Sequence, residues 1–77
     1  MRLGVYRHYK GGLYLVTAVA RHTETLEPIV FYQSLYGDFG YWARPLIMFE
    51  GKQEYQGEIV DRFTFLNNPG ENPPTPR

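Results

Sequence analysis

The sequence predicts a small all-β domain, an SH3-like barrel of five short strands with one short helical turn. Three observations predict this class. Runs rich in β-branched and aromatic residues are short, glycine or proline punctuates the chain between them, and one stretch alone suits a turn of helix. An OB-like barrel is the alternative, because it also closes a few short strands in a chain of this size.

The first turn and strand follow from residues 10–22. Lys10-Gly11-Gly12 predicts a turn, because glycine takes positive φ without steric cost. Residues 13–22 then read as a strand with no helix cap before it. Strict alternation would give it two apolar faces, one of Tyr14, Val16, Ala18 and Ala20 and the other of Leu13, Leu15, Thr17 and Val19. Two apolar faces predict a central strand in a closed or sandwiched sheet.

The second and third strands form a predicted hairpin. After a connection over residues 23–27, Pro28 is acceptable as the first residue of a strand that runs to Leu35. The stretch Tyr36-Gly37-Asp38-Phe39-Gly40 is typical of a glycine-rich hairpin loop, and residues 41–44 return as a short strand.

The remaining elements complete the predicted barrel. Pro45 suits the start of a single helical turn over residues 46–49. Residues 54–56 and 59–66 form a last hairpin around Gln56-Gly57. Residues 1–66 are therefore predicted to be one domain. Residues 67–77 hold four of the six prolines and no apolar anchor, which predicts a disordered proline-rich tail.

Composition restricts the function classes. The chain has no cysteine, so thiolate metal sites and disulfides are excluded. It has no apolar run of the ~18 residues that a membrane span needs and no apolar signal region, so we expect a cytoplasmic protein of bacterial type, a monomer or weak dimer without membrane contact. Net charge is zero, although residues 1–23 carry four cations and no acid. That balance argues against a dedicated duplex binder.

An ordered set of residues resembles a small bacterial family known only as a domain of unknown function, DUF1653. The resemblance extends over residues 4–66 and is carried by Tyr6-x-His8-x-Lys10-Gly11-x-x-Tyr14-x-Val16, Ala20-x-His22-x-Glu24-Thr25-x-Glu27, Val30-x-Tyr32-x-x-Leu35-Tyr36-Gly37-Asp38 and Trp42-x-Arg44-Pro45-x-x-Met48-Phe49. It implies a compact domain that occurs alone or attached to others. It implies no activity.

Trp42 and Arg44 are the first candidate binding residues. Two residues apart on a strand, they project from the same face about 6.5–7 Å apart. An arginine beside an indole can clamp an anionic ligand through a charged hydrogen bond and stacking. The alternative is structural: Trp42 would be core, and Arg44 would tether a loop acid such as Asp38 or Glu24.

His22, Glu24 and Glu27 form a second polar group. His22 and Glu24 share a face if the chain is extended, and could orient a ligand or act as an acid–base pair. With His8 they could also supply metal ligands, but two histidines without cysteine have no diagnostic spacing. The structural alternative is that the glutamates fix the turn by accepting amide hydrogen bonds.

The segment Tyr6-Arg7-His8-Tyr9-Lys10-Gly11 mixes aromatic and basic residues. Binders of RNA or single-stranded DNA use this mixture, the rings stacking on bases and the cations following the backbone. A first strand edge, with Arg7 and Lys10 extending to solvent, is the structural alternative.

We conclude that the sequence favours a non-enzymatic binding module. Its ligand would be a small anion or a protein partner, with single-stranded nucleic acid as the alternative and a His22–Glu24 acid–base enzyme as the third class. We expect no metal, cofactor or catalytic residue, and Ser34 lacks a convincing base. The predicted binding residues are His8, His22, Glu24, Tyr36, Asp38, Trp42 and Arg44.

Overall fold

The computed structural model describes residues 1–67, which form seven strands and one helical turn. In chain order these are β1 (Gly4–His8), β2 (Leu13–Arg21), β3 (Pro28–Ser34), β4 (Tyr41–Pro45), α1 (Leu46–Phe49), β5 (Lys52–Tyr55), β6 (Glu58–Asp61) and β7 (Phe63–Asn67). The predicted helical turn is confirmed. Asn67 ends β7, and the rest of the predicted tail lies outside the described residues.

The all-β class is confirmed, but the predicted closure into a barrel is wrong. A five-stranded antiparallel sheet has the order β4-β3-β2-β1-β7, and β5 and β6 form a separate two-stranded sheet. Strands β4 and β7 are therefore the two edges of the five-stranded sheet. Closure fails because the β5–β6 hairpin pairs with itself and does not join those edges.

The predicted strand over residues 59–66 is in fact two strands. The chain leaves one sheet and enters the other at Arg62. The Arg62 amide donates to the Gly51 carbonyl, and its carbonyl accepts from the Tyr9 amide. Both backbone groups of Arg62 are thus satisfied outside the two ladders, so this break needs neither glycine nor proline.

A β-bulge at Thr17 overturns the predicted alternation along β2. Val16 pairs with Tyr32, whereas Ala18 pairs with Phe31 and Val19 with Val30. The extra residue shifts the side-chain alternation by one position. Val19, and not Ala18, therefore lies opposite fully buried Val30.

The hydrophobic core lies on one face of the large sheet. Its buried members are Tyr6, Val16, Val30, Tyr32, Phe49 and Phe63. Helix α1 contributes Phe49, whose ring stacks on that of Phe63 at 4.0 Å between centroids. Tyr6 and Tyr32 each meet Phe49 edge-to-face, so one ring from α1 joins β1, β3 and β7.

Candidate functional site

A concave pocket lies beside the core on the same face of the sheet. Its volume is about 180 Å³, and it is lined by His8, Tyr14, Tyr32, Trp42, Arg44 and Phe63. Phe63 and Tyr32 belong to both the core and this lining. The pocket therefore has a packed aromatic floor.

Strand register brings the lining residues together. Trp42 lies directly opposite Tyr32, and His8 lies opposite Phe63. Tyr14 lies on β2, two residues before Val16 and on the same face. Because residues directly opposite one another share a face, all five strands of the large sheet contribute side chains to one concavity.

Trp42 is held by its edge and leaves its ring accessible. The indole Nε1 donates a 2.8 Å hydrogen bond to the Ser34 hydroxyl, and Ser34 is buried. The Trp42 side chain is nevertheless 55% exposed. The structural alternative for Trp42, a core tryptophan, does not match this placement.

Arg44 is half-buried and points its charge into the pocket lining. Its Nε donates a 3.2 Å hydrogen bond to the Tyr32 hydroxyl. Across residues 1–67 the guanidinium meets no carboxylate within ion-pair distance, including Asp38 and Glu24, and forms no cation–π contact. The tether that the sequence offered as an alternative is therefore not formed within that part of the chain.

His8 presents a fixed tautomer to the pocket. Its Nδ1 accepts a 3.1 Å hydrogen bond from the Lys10 amide, so the neutral ring carries its proton on Nε2. Burial lowers the pKa of His8, and the positive charges of Arg44, Lys10 and Arg62 lower it further. His8 is consequently a neutral donor at pH 7 within a positive local field.

Tyr36 does not line the pocket but contacts Tyr14, which does. Their hydroxyl groups share a short hydrogen bond, and their rings meet edge-to-face at 5.6 Å. Burial, followed by the bond to Tyr36, raises the pKa of Tyr14 to about 12. The Tyr14 hydroxyl thus keeps its proton at neutral pH.

Gly12 makes room for this tyrosine pair, which gives a testable prediction. A Cβ at Gly12 would lie 2.9 Å from Tyr36 Cε1 and 3.4 Å from Tyr14 Cε1. We expect Gly12→Ala to displace Tyr36 and to lower the Tyr14 pKa from about 12, since the hydrogen bond is lost while burial remains. The pH titration of the Tyr14 ¹³Cζ NMR signal measures this change.

Gly11→Ala is the matched control. Gly11 has φ +107° but nothing within 4 Å of an added Cβ, so alanine strains the turn without touching either ring. Its Tyr14 titration should match that of the parent protein. A Gly12→Ala variant with an unchanged Tyr14 pKa would contradict the proposed contact.

His22, Glu24 and Asp38 are absent from the pocket lining. The Nδ1 of His22 accepts hydrogen bonds from the amides of Glu24 and Thr25, which fixes the β2–β3 connection. Asp38 accepts from the Gly40 amide in the β3–β4 loop. All three are exposed, and their observed contacts are those of turn residues.

The basic aromatic N-terminal segment is divided by strand alternation. Tyr6 is buried in the core, while Arg7 is exposed on the opposite face of β1. His8 alone of this strand lines the pocket. Beyond the strand, the Tyr9 ring lies 4.3 Å from that of His8 and Lys10 lies over the Tyr9 ring, so a short run of two rings and one cation remains.

Three lining residues were missed from the sequence: Tyr14, Tyr32 and Phe63. Each looked like an ordinary strand aromatic. Tyr14 and Tyr32 could have been found by asking which aromatic residues share the Trp42 face. Phe63 could not, because its place beside His8 depends on pairing between the two ends of the domain.

A second concavity is larger but chemically different. It has a volume of about 370 Å³ and is lined by Glu27, Pro28, Leu46, Ile47 and Glu50. Its lining has no cation and no aromatic ring, and it includes none of the predicted binding residues. Elsewhere in residues 1–67, no cluster of three or more His, Asp or Glu side chains could hold a metal ion.

Comparisons with known proteins are consistent with one another. The family model described as "Protein of unknown function (DUF1653)" matches residues 4–65. The crystal structure of a protein belonging to DUF1653 from Bordetella bronchiseptica is similar, with 34% sequence identity, a TM-score of 0.81 and coverage of 94% of this chain and 95% of that one. None of the curated proteins matches.

No helix within residues 1–67 has the length and apolar character that crossing a membrane requires. The family match covers nearly the whole described domain, and the solved relative is 34% identical over 94% of the chain. The chain belongs to the DUF1653 family.

Proposed function

We propose that this domain is a non-enzymatic binding module that recognises an anionic group in the pocket lined by Trp42, Arg44 and His8. One observation carries the proposal: Arg44 presents a guanidinium to an aromatic pocket without a carboxylate partner in residues 1–67. A half-buried arginine without a counter-ion gains most from an incoming anion, because a charged hydrogen bond is roughly twice as strong as a neutral one.

The charges around the pocket support the same ligand class. Lys10 and Arg62 add to the positive field that Arg44 exerts on His8. The lining itself contains no acid. An anion entering the pocket would meet attraction from three cations and repulsion from no lining carboxylate.

Binding is a better account than catalysis. The predicted acid–base pair, His22 and Glu24, is held through a backbone amide and lies outside the pocket lining. His8 is the one imidazole of the lining, and its Nδ1 is occupied by the Lys10 amide. With that acceptor nitrogen occupied and no carboxylate in the lining, the pocket holds no acid–base pair for proton transfer.

An NMR chemical-shift screen tests the proposal. The probes are acetate, inorganic phosphate, benzoate, nucleotides, short RNA, neutral sugars and divalent metal ions, all at one ionic strength. We expect anionic probes to shift the signals of His8, Trp42 and Arg44 in a saturable manner. Shifts confined to the β2–β3 connection, or to the groove beside Leu46, would contradict the proposal.

We expect the affinity for anions to rise as the pH falls, because His8 becomes positively charged. Its pKa in the free protein lies below the ordinary value near 6.5, so the group is neutral at pH 7 and gains a charge as pH falls. A bound anion favours the charged form, and linkage requires tighter binding at lower pH. Tyr14 remains protonated throughout this range.

We therefore expect affinity for benzenesulfonate, which stays anionic, to rise by up to about tenfold between roughly pH 7 and pH 5. Titration calorimetry at each pH measures the change. His8→Gln should flatten the profile. His22→Gln is the matched control, since His22 also accepts loop amides at Nδ1 but lies outside the pocket. A profile that flattens only in His22→Gln would refute the assignment.

A further inference from the structure

We infer that the ligand of this pocket is a compound with a single six-membered aromatic ring that carries an oxyanion, such as an aryl carboxylate or an aryl phosphate ester. The inference rests on the proposed function, because it names the chemical class of the anion. Three features of the pocket carry it: its size, its aromatic walls and its hydrogen-bonding groups.

The size of the pocket limits the buried part of the ligand. An engineered apolar cavity of ~150 Å³ holds one benzene molecule. The present pocket, at about 180 Å³, is slightly larger and is open to solvent. It accommodates one six-membered ring with its charged substituent toward the mouth. A second fused ring or a neighbouring nucleotide would have to lie outside.

The walls of the pocket favour a flat ring over an alkyl chain. Phe63 meets Tyr14 and Tyr32 edge-to-face, each at 5.7 Å between centroids, and also meets the imidazole of His8 at 5.0 Å. A ligand ring would extend this edge-to-face cluster. Trp42 contributes an exposed ring whose orientation is fixed by its bond to Ser34.

The polar groups of the pocket are predominantly free donors. Arg44 uses Nε on Tyr32, which leaves its terminal N–H groups for the ligand. The Tyr32 hydroxyl accepts that bond and keeps its own proton to donate. Neutral His8 has its acceptor Nδ1 occupied by Lys10, so Nε2–H is its remaining polar group.

The Tyr14 hydroxyl at the pocket is already bonded to that of Tyr36, which lies outside the lining. The free donors are therefore those of Arg44, Tyr32 and His8, and the ligand must provide acceptors for them. A carboxylate or phosphate provides several lone pairs on one centre, whereas an amine or a guanidine would leave these donors unmatched.

A calorimetric series tests the inference with matched probes. Benzoate and phenyl phosphate carry both features, acetate and methyl phosphate carry the anion alone, and benzyl alcohol carries the ring alone. We expect the two aryl anions to bind at least about tenfold more tightly than the other three. Their relative affinities distinguish carboxylate from phosphate as the preferred oxyanion.

The failures of the two proposals are distinguishable. If acetate and methyl phosphate bind as tightly as the aryl anions, the ring requirement is overturned while anion binding stands. If benzyl alcohol binds as tightly as benzoate, the oxyanion requirement is overturned. If none of the five probes binds in the pocket, the proposed function fails as well.

Trp42→Ala tests the same inference within the protein. We expect it to weaken benzoate binding by about tenfold and acetate binding by much less. Tyr41→Ala is the matched control, because Tyr41 is the adjacent aromatic residue on β4, is 75% exposed and projects from the opposite face. Equal losses for benzoate and acetate in Trp42→Ala, or an equal loss of benzoate binding in Tyr41→Ala, would overturn the inference.

Discussion

Replacing Arg44 with alanine is expected to remove most of the anion affinity of this domain while leaving it folded. A hydrogen bond to a charged group contributes ~1.5–3 kcal/mol, which corresponds to a loss of roughly 10- to 150-fold in affinity. Arg44→Lys retains the charge but loses the planar fork, and should lie between alanine and the parent. Titration calorimetry with benzoate at constant ionic strength measures all three proteins.

The folding control for Arg44→Ala is specific. The substitution leaves the Tyr32 hydroxyl without its donor, which costs ~1 kcal/mol and should lower the urea midpoint slightly. Arg7→Ala removes an equal charge from the exposed opposite face of β1 and should leave binding unchanged. Unfolding of Arg44→Ala, or equal binding losses in the two variants, would mean that Arg44 acts structurally or only through net charge.

Replacing Phe49 with alanine is expected to have the largest effect on stability. Phe49 is 1% exposed and stacks on Phe63 while meeting Tyr6 and Tyr32 edge-to-face. Truncation of a buried phenylalanine costs ~3–5 kcal/mol, which is a large part of the ~5–15 kcal/mol that stabilises a typical domain. We expect Phe49→Ala to be largely unfolded or to melt far below the parent.

Ile47→Ala is the control for this experiment. It lies in the same helical turn but is 79% exposed, so its truncation should change the free energy of unfolding by less than ~0.5 kcal/mol. Urea denaturation followed by circular dichroism measures both variants. A small effect of Phe49→Ala, comparable with that of Ile47→Ala, would show that α1 does not hold the strands of the core together.

The elements that depend on a proline or a glycine were predicted correctly from the sequence. Pro45 fixes its own φ and cannot donate to a ladder, so strand β4 ends there and the helical turn Leu46–Phe49 follows. The Gln56-Gly57 turn was likewise predicted, and both residues adopt positive φ as a two-residue hairpin requires.

The errors arose where distant contacts decide the structure. The break at Arg62 depends on bonds to Gly51 and Tyr9, which no local pattern reveals. The bulge at Thr17 has no glycine to mark it, and its hydroxyl bonds to the Phe31 carbonyl of the neighbouring strand. The prediction of a closed barrel was wrong for the same reason, since closure depends on how β5 and β6 pair.

Some residues of the candidate site could likewise be predicted from local sequence, and others depend on contacts between distant strands. Trp42 and Arg44 share a strand, and period-two alternation is enough to place both on one face. The His22–Glu24 group lies outside this pocket, and the His22 ring accepts two amide hydrogen bonds of the β2–β3 connection, a role that local sequence does not distinguish from ligand binding. Strand pairing alone could reveal Phe63 as part of the pocket.

A crystal structure of the domain with benzoate tests the central claim most directly. We predict the carboxylate within hydrogen-bond distance of the terminal Arg44 nitrogens, with its ring against Trp42 and Phe63. Benzoate bound elsewhere on the domain, or an Arg44 guanidinium that pairs with a carboxylate of its own chain while the pocket stays free of ligand, would contradict it.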